Sequence, residues 1–128
     1  DTYYQLYYSN LITAKSVHKV GQLVNKIKKI NTHRPPAINS HIYAPHGSCI
    51  VFSKEFFSKG GYLDTGFTMY GEEISTAEIA KKLNLPIQYI PSLVIKHNEH
   101  QSMGETSYKD NFFHSKKTYY YLKRKYRY

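Results

Sequence analysis

Tryptophan is absent from this chain, cysteine occurs once, and aspartate occurs only at positions 1, 64 and 110. Each scarcity excludes something. The single thiol, Cys49, rules out a disulfide framework and a cysteine-rich zinc site. A lone free thiol also fits a reducing compartment. Aspartates so far apart leave no Asp-x-Asp pair anywhere in the chain. No glycine-rich phosphate loop of the dinucleotide or Walker type is present. No apolar run approaches the ~20 residues that a membrane span needs, and no signal peptide is visible. The chain opens at Asp1 rather than Met, as a processed product or an excised piece does.

What is abundant is tyrosine and positive charge. The 128 residues, the length of one ordinary domain, hold 14 Tyr and 6 Phe and carry a net charge of +9. Tyrosine suits surfaces that are half apolar and half wet: a sugar-binding cleft, an interface, or a membrane-facing patch. A basic balance of this size draws polyanions such as nucleic acid, anionic lipid or phosphorylated ligands. The hydrophobic fraction of 41% is enough for a core, and the spacing of Cys49 within Cys49-Ile50-Val51-Phe52 predicts a small buried residue there.

The chain divides into a helical opening over residues 1–40, a mixed stretch over 41–106, and a basic aromatic helix over 107–128. Residues 1–8 are aromatic without a clear period. Residues 10–30 have helical spacing at Val17, Val20, Val24 and Ile27, with Asn10 as a cap and lysines on the other face. A linker with Pro35-Pro36 follows. Short strands are predicted at Ile42–Tyr43, Ser48–Phe52, Ile87–Ile90 and Leu93–Lys96. A helical turn at Lys54–Lys59 stops at Gly60-Gly61, and a helix spans Glu72 to Leu83. In the last segment Tyr108, Phe112, Tyr119, Leu122 and Tyr126 fall on one stripe, and Lys109, Lys116, Lys123 and Arg127 on another. The fold class is α/β, a short mixed sheet with flanking helices.

Glu72 and Glu73 are the only adjacent acids in the chain. Carboxylates in a first helical turn are stabilised by free backbone N–H groups and the helix dipole. They stay ionised, rigid and partly exposed, which is what a general base requires. Helix-terminus acids without chemistry are also common, so the pair alone leaves both readings open.

The surrounding order of motifs is more specific. His46-Gly47-Ser48-Cys49-Ile50-Val51-Phe52 leads to Gly60-Gly61-Tyr62-Leu63-Asp64, then Phe67-Thr68-Met69-Tyr70-Gly71-Glu72-Glu73. Tyr89-Ile90-Pro91 and the run Leu93 to His97 follow, then Ser102. This stretch, roughly residues 43–104, resembles the acceptor-side, C-terminal half of bacterial family-2 glycosyltransferases, rhamnosyltransferase-like enzymes of the GT-A fold. The resemblance implies that Glu73 is the catalytic base of an inverting transfer from a nucleotide-sugar to an acceptor hydroxyl. Glu72 would position the acceptor, or the two would exchange roles. The family's commonest pattern has Asp where Glu73 stands. Gly47 and Ser48 would let the backbone approach the substrate. Met69 and Tyr70 would line the acceptor cleft, with a core role for Met69 as the other reading. His97 matches the family's C-terminal histidine, which can help hold the divalent metal (Mg or Mn) expected in the intact enzyme. A strand-end histidine capped by backbone is the alternative. A zinc pair of His97 and His100 lacks an obvious third ligand.

The GT-A fold also needs a nucleotide-binding half with an Asp-x-Asp motif, and this chain has none. The resemblance therefore implies a fragment, inactive alone and prone to self-association through apolar surface that the other half would cover. Its partners would be a nucleotide-sugar donor and a glycan or lipid-linked acceptor, in the cytoplasm or peripheral on the inner face of the cell membrane. The final helix could lie on an anionic membrane surface, or pack its aromatic stripe on the core. The competing readings are a basic nucleic-acid-binding module, spread over two helices without a recognised motif, and a structural half-domain without catalysis.

Overall fold

The computed structural model describes residues 2–28, 38–97 and 107–127, with the side chains of residues 27 and 28 excepted. The predicted Pro35-Pro36 linker, His100 and Ser102 lie outside the described residues. Seven elements follow in order: α1 (Thr2–Tyr7), α2 (Leu11–Lys28), β1 (Ser40–Ile42), α3 (Lys54–Ser58), α4 (Glu72–Lys82), β2 (Ile87–Tyr89) and α5 (Tyr108–Tyr126). The two strands pair antiparallel, with Ser40 opposite Tyr89 and Ile42 opposite Ile87. The architecture is mixed α/β with a small sheet, as expected, and among the described residues that sheet has two antiparallel strands where four strands were expected.

Local chemistry sets the helix ends. The Thr13 N–H donates to Asn10 Oδ1 at 2.8 Å, so Asn10 caps α2 as its sequence position predicts. Ser53 accepts from the Phe56 N–H and Ser107 from the Asp110 N–H, which starts α3 and α5 in the same way. Gly60 follows the end of α3 at φ +87, a conformation that favours glycine. This lets the N–H groups of Gly60 and Gly61 reach back to the carbonyls of Phe57 and Phe56. Asn84, at φ +53, ends α4 by the same device, turning the Leu85 N–H onto the Ala80 carbonyl.

Two apolar clusters form, and α5 belongs to both. Leu122 and Tyr126 pack with Phe56, Ile79 and Ala80 of α3 and α4. One to three turns earlier, Phe112 and Tyr119 pack with Tyr8 and Ala14 at the α1–α2 corner. The aromatic stripe of α5 is therefore turned into the core from Phe112 to Tyr126, and only Tyr108 of that stripe stays exposed. The stripe is thereby unavailable as the apolar face of an interfacial helix. The opening tyrosines, without a period in sequence, form α1 and stack on one another and on Tyr119.

Several expectations are corrected. Cys49 is exposed rather than buried. Ser48–Phe52 and Leu93–Lys96 do not form strands, and Val51 and Val94 are 79% and 86% exposed. A strand needs a neighbour to take its N–H and C=O groups, and among the described residues neither segment has one. On α2 the apolar residues Val20, Leu23 and Val24 face solvent. They are helical in spacing, but only the first turns of α2 meet a packing partner.

Candidate functional site

The site is assembled from two stretches far apart in sequence: the loop at His46–Ser48 and the start of α4. The Gly47 N–H donates to Glu73 Oε1 at 3.0 Å. The Gly71 N–H donates to Glu72 Oε2 at 2.9 Å, so Glu72 reaches back to satisfy the amide at its own helix N-cap. A Cβ on Gly47 would stand 2.9 Å from Glu72 Oε1 and 3.0 Å from Glu73 Oε1. In the present arrangement the absence of a side chain at Gly47 lets both carboxylates come this close. The sequence suggested close approach to a substrate; the structure shows close approach to the two acids.

The two glutamates differ in setting. Glu72 is exposed and committed to its helix end, whereas Glu73 is half-buried against the loop. The second oxygen of Glu73 has no protein partner among the described residues. That leaves Glu73 fixed at one oxygen and open at the other, the condition of a positioned proton acceptor. Ser48 is exposed, and its hydroxyl lies 2.7 Å from His46 Nδ1. The Ser48 N–H also donates to His46 Nδ1 at 3.2 Å, so that nitrogen acts as an acceptor and the imidazole is held on the loop.

Gly47→Ala separates the site from the fold. Both clashing atoms are ends of flexible side chains, so they can swing away at small cost to stability. The Gly47–Glu73 hydrogen bond is expected to be lost, with a melting temperature close to that of the parent. A melting temperature lowered by many degrees would show instead that the two carboxylates cannot move aside.

The segment leading into α4 is held in a strained form. Tyr70 adopts φ +64, in the left-handed region that a bulky residue rarely occupies. Such a conformation costs of order 1–3 kcal/mol and persists only where the surroundings impose it. Two contacts with α5 do so. Thr118 Oγ1 donates to the Met69 carbonyl at 2.6 Å, and the Tyr70 hydroxyl donates to Asn111 Oδ1 at 3.0 Å. Met69 is half-buried and Tyr70 exposed. Tyr70 also lines a small cleft of about 230 Å³ with Tyr7, Tyr8, Tyr108 and Asn111.

Asp64 anchors the loop before this motif. Its carboxylate, 2% exposed, takes an ion pair from Lys125 at 3.0 Å. The hydroxyls of Tyr121 and Tyr126 donate to it at 2.7 and 2.6 Å, and the Gly66 N–H at 3.0 Å. Burial alone would raise its pKa, but the donors from Tyr126, Tyr121, Gly66 and Lys125 outweigh burial and bring it down to about 2. Tyr126 is pushed up by burial and by the Asp64 charge it faces. On the far side of α4, the Tyr43 hydroxyl donates to the buried Glu78 at 2.6 Å and ties the end of β1 to the helix.

Of the residues singled out in the sequence, the structure brings Gly47 against Glu72 and Glu73 and sets Tyr70 against α5; the contacts made by Asp64, Asn111 and Thr118 were not anticipated. Only Asp64 carried a signal, as an aspartate in a chain with three. His97 is exposed beyond β2, in a segment without regular structure. Among the described residues no three His, Cys, Asp or Glu side chains gather where a metal ion could sit. One imidazole is one ligand, so the described residues do not form a metal centre around His97. No described helix is long and apolar enough to cross a membrane.

A stretch of 65 residues, 49% of this chain, is 37% identical to the low-salt glycan biosynthesis hexosyltransferase Agl10 of Haloferax volcanii. It covers 21% of that protein, so the chain spans about a fifth of the length of the curated relative it matches. No family model matches the chain. No solved structure matches it either. The similarity is to part of a glycosyltransferase.

Proposed function

We propose that this chain is the acceptor-activating part of an inverting glycosyltransferase with a GT-A fold, and that Glu73 is its base. The observation that carries the reading is the convergence of Gly47 on Glu72 and Glu73. One backbone amide fixes one oxygen of Glu73 across 26 residues of sequence, and the other oxygen has no partner among the described residues. The partial identity to a hexosyltransferase supports the reaction class. Glu73 would take the proton of an acceptor hydroxyl. That oxygen then bonds to the anomeric carbon of a nucleotide-sugar, and the nucleoside diphosphate leaves with the bonding electron pair. Glu72 keeps α4 properly started so that Glu73 faces the loop, and Tyr70, the residue before the helix N-cap, would line the acceptor cleft.

The donor would be held outside this chain, by a half that supplies the missing Asp-x-Asp and most of the metal ligands, with His97 as a contributor. Any metal there would neutralise charge on the leaving diphosphate. Release of nucleotide from a panel of nucleotide-sugars is the test. Residues 1–128 alone are expected to release none, and a polypeptide joining them to a nucleotide-binding half is expected to release it in the presence of acceptor. Turnover by residues 1–128 alone, or an inert joined polypeptide across the panel, would overturn the reading.

A further inference from the structure

The outer face of α5 carries a cleft whose lining shares no residue with the contact of Gly47 on Glu72 and Glu73. It encloses about 760 Å³ and is lined by Phe113, Lys116, Lys117, Tyr120, Lys123 and Arg124 on the helix, with the loop at Gly66 as the opposite wall. The spacing of three or four residues puts these side chains on one strip. The strip lies roughly a third of a turn round the helix from the buried face. No carboxylate lines it. Phe113 and Tyr120 are 46% and 48% exposed although neither packs in either core cluster. Lys116, Lys117 and Arg124 form no ion pair among the described residues.

We infer that this strip is a docking surface for an anionic lipid bilayer, with lipid phosphates as the groups the cations bind. Phe113 has no polar atom and gains only by leaving water, which an acyl boundary allows. Lysine and arginine stems can lie beside such a ring while their charged ends reach outward to phosphate. Basic side chains held near an anionic leaflet are attracted to it, and exposed rings between them add apolar contact at the headgroup boundary. A nucleic-acid strand fits less well, because cations line only one wall of the cleft. The face differs from the aromatic stripe that the core consumes. The inference is independent of the glycosyl-transfer reading, since binding is measured without turnover.

Vesicle flotation of the 128-residue chain tests it, using phosphatidylcholine with and without phosphatidylglycerol. The expected result is binding to the anionic vesicles alone, weakened by salt. Lys117→Ala with Arg124→Ala should lower partitioning about 30-fold, since each basic residue near an anionic surface contributes about five-fold. Both side chains are exposed, and circular dichroism checks that the helices remain. If the pair unfolds the chain, Lys117→Ala alone decides, at about five-fold. Lys19→Ala with Lys26→Ala removes the same charge from α2 and should leave binding nearly unchanged. Equal losses from both pairs, or equal binding to phosphatidylcholine vesicles, would overturn the site. So would inorganic phosphate displacing the chain from vesicles at constant ionic strength, or a single-stranded oligothymidylate bound more tightly through the same two cations.

Discussion

Glu73→Gln in the catalytically competent polypeptide is expected to lower kcat for sugar transfer by ~10²–10⁴-fold, the contribution of a general base. KM for the donor should move little. The substitution is isosteric, and the amide oxygen of glutamine still accepts the Gly47 N–H that fixes this side chain. Geometry is preserved and only the proton acceptor is lost. Glu72→Gln is the companion measurement. Its Oε2 accepts from the Gly71 N–H, a role that an amide oxygen also fills. Turnover should stay within a few-fold of the parent. A large loss from Glu72→Gln with little from Glu73→Gln would exchange the two roles. Little loss from either would remove the site from catalysis.

The largest effect on stability is expected at Asp64. Asp64→Ala strands the hydroxyls of Tyr121 and Tyr126 and the Lys125 ammonium around a vacated carboxylate. Removing one partner of a buried charge pair costs about 3–5 kcal/mol. Lys125 is 35% exposed and can recover some hydration, which places the loss toward the lower end. Urea denaturation reads it as a fall in midpoint at constant slope. The pH dependence supplies the sign. The folded-state pKa, about 2, lies below the ordinary 3.8. The stabilisation is therefore fully present above pH 4–5 and is lost as pH falls from there through about 2. The span corresponds to about 2 kcal/mol. Asp64→Asn should flatten that acid limb relative to the parent. An unchanged limb would mean that the Tyr–Lys cage does not hold the carboxylate ionised.

Helices α2 to α5, the Asn10 cap and the stop at Gly60-Gly61 were legible because their signals are local, whereas α1 was not, its tyrosines having no period. Asn10 before α2, Gly60-Gly61 after α3 and the stripe of α5 each act within a turn or two of the residues they control. The carboxylate pair was legible for the same reason, as two neighbours opening a helix. The supports of the site were hidden because each is a long-range bond. Asn111 meets Tyr70 across 41 residues and Thr118 meets Met69 across 49, and no periodicity marks either pair. The strands at Ser48–Phe52 and Leu93–Lys96 failed for a related reason. β-Propensity reports fitness for a pleated, half-buried surface, and a partner strand must exist to make that surface. Cys49 shares that fate, apolar in its neighbours but open to solvent.

The order of synthesis has a consequence for the strained Tyr70. Its restraints, Asn111 and Thr118, lie on α5 and leave the ribosome about forty to fifty residues after the Met69–Tyr70 backbone they hold, which at ~5–20 residues per second is a delay of roughly 2–10 seconds. During that interval nothing from α5 holds the left-handed backbone, and the α3–α4 apolar faces wait for Leu122 and Tyr126. The backbone at Tyr70, made in the middle of the chain, thus gains its restraints only once α5 has been made and docks.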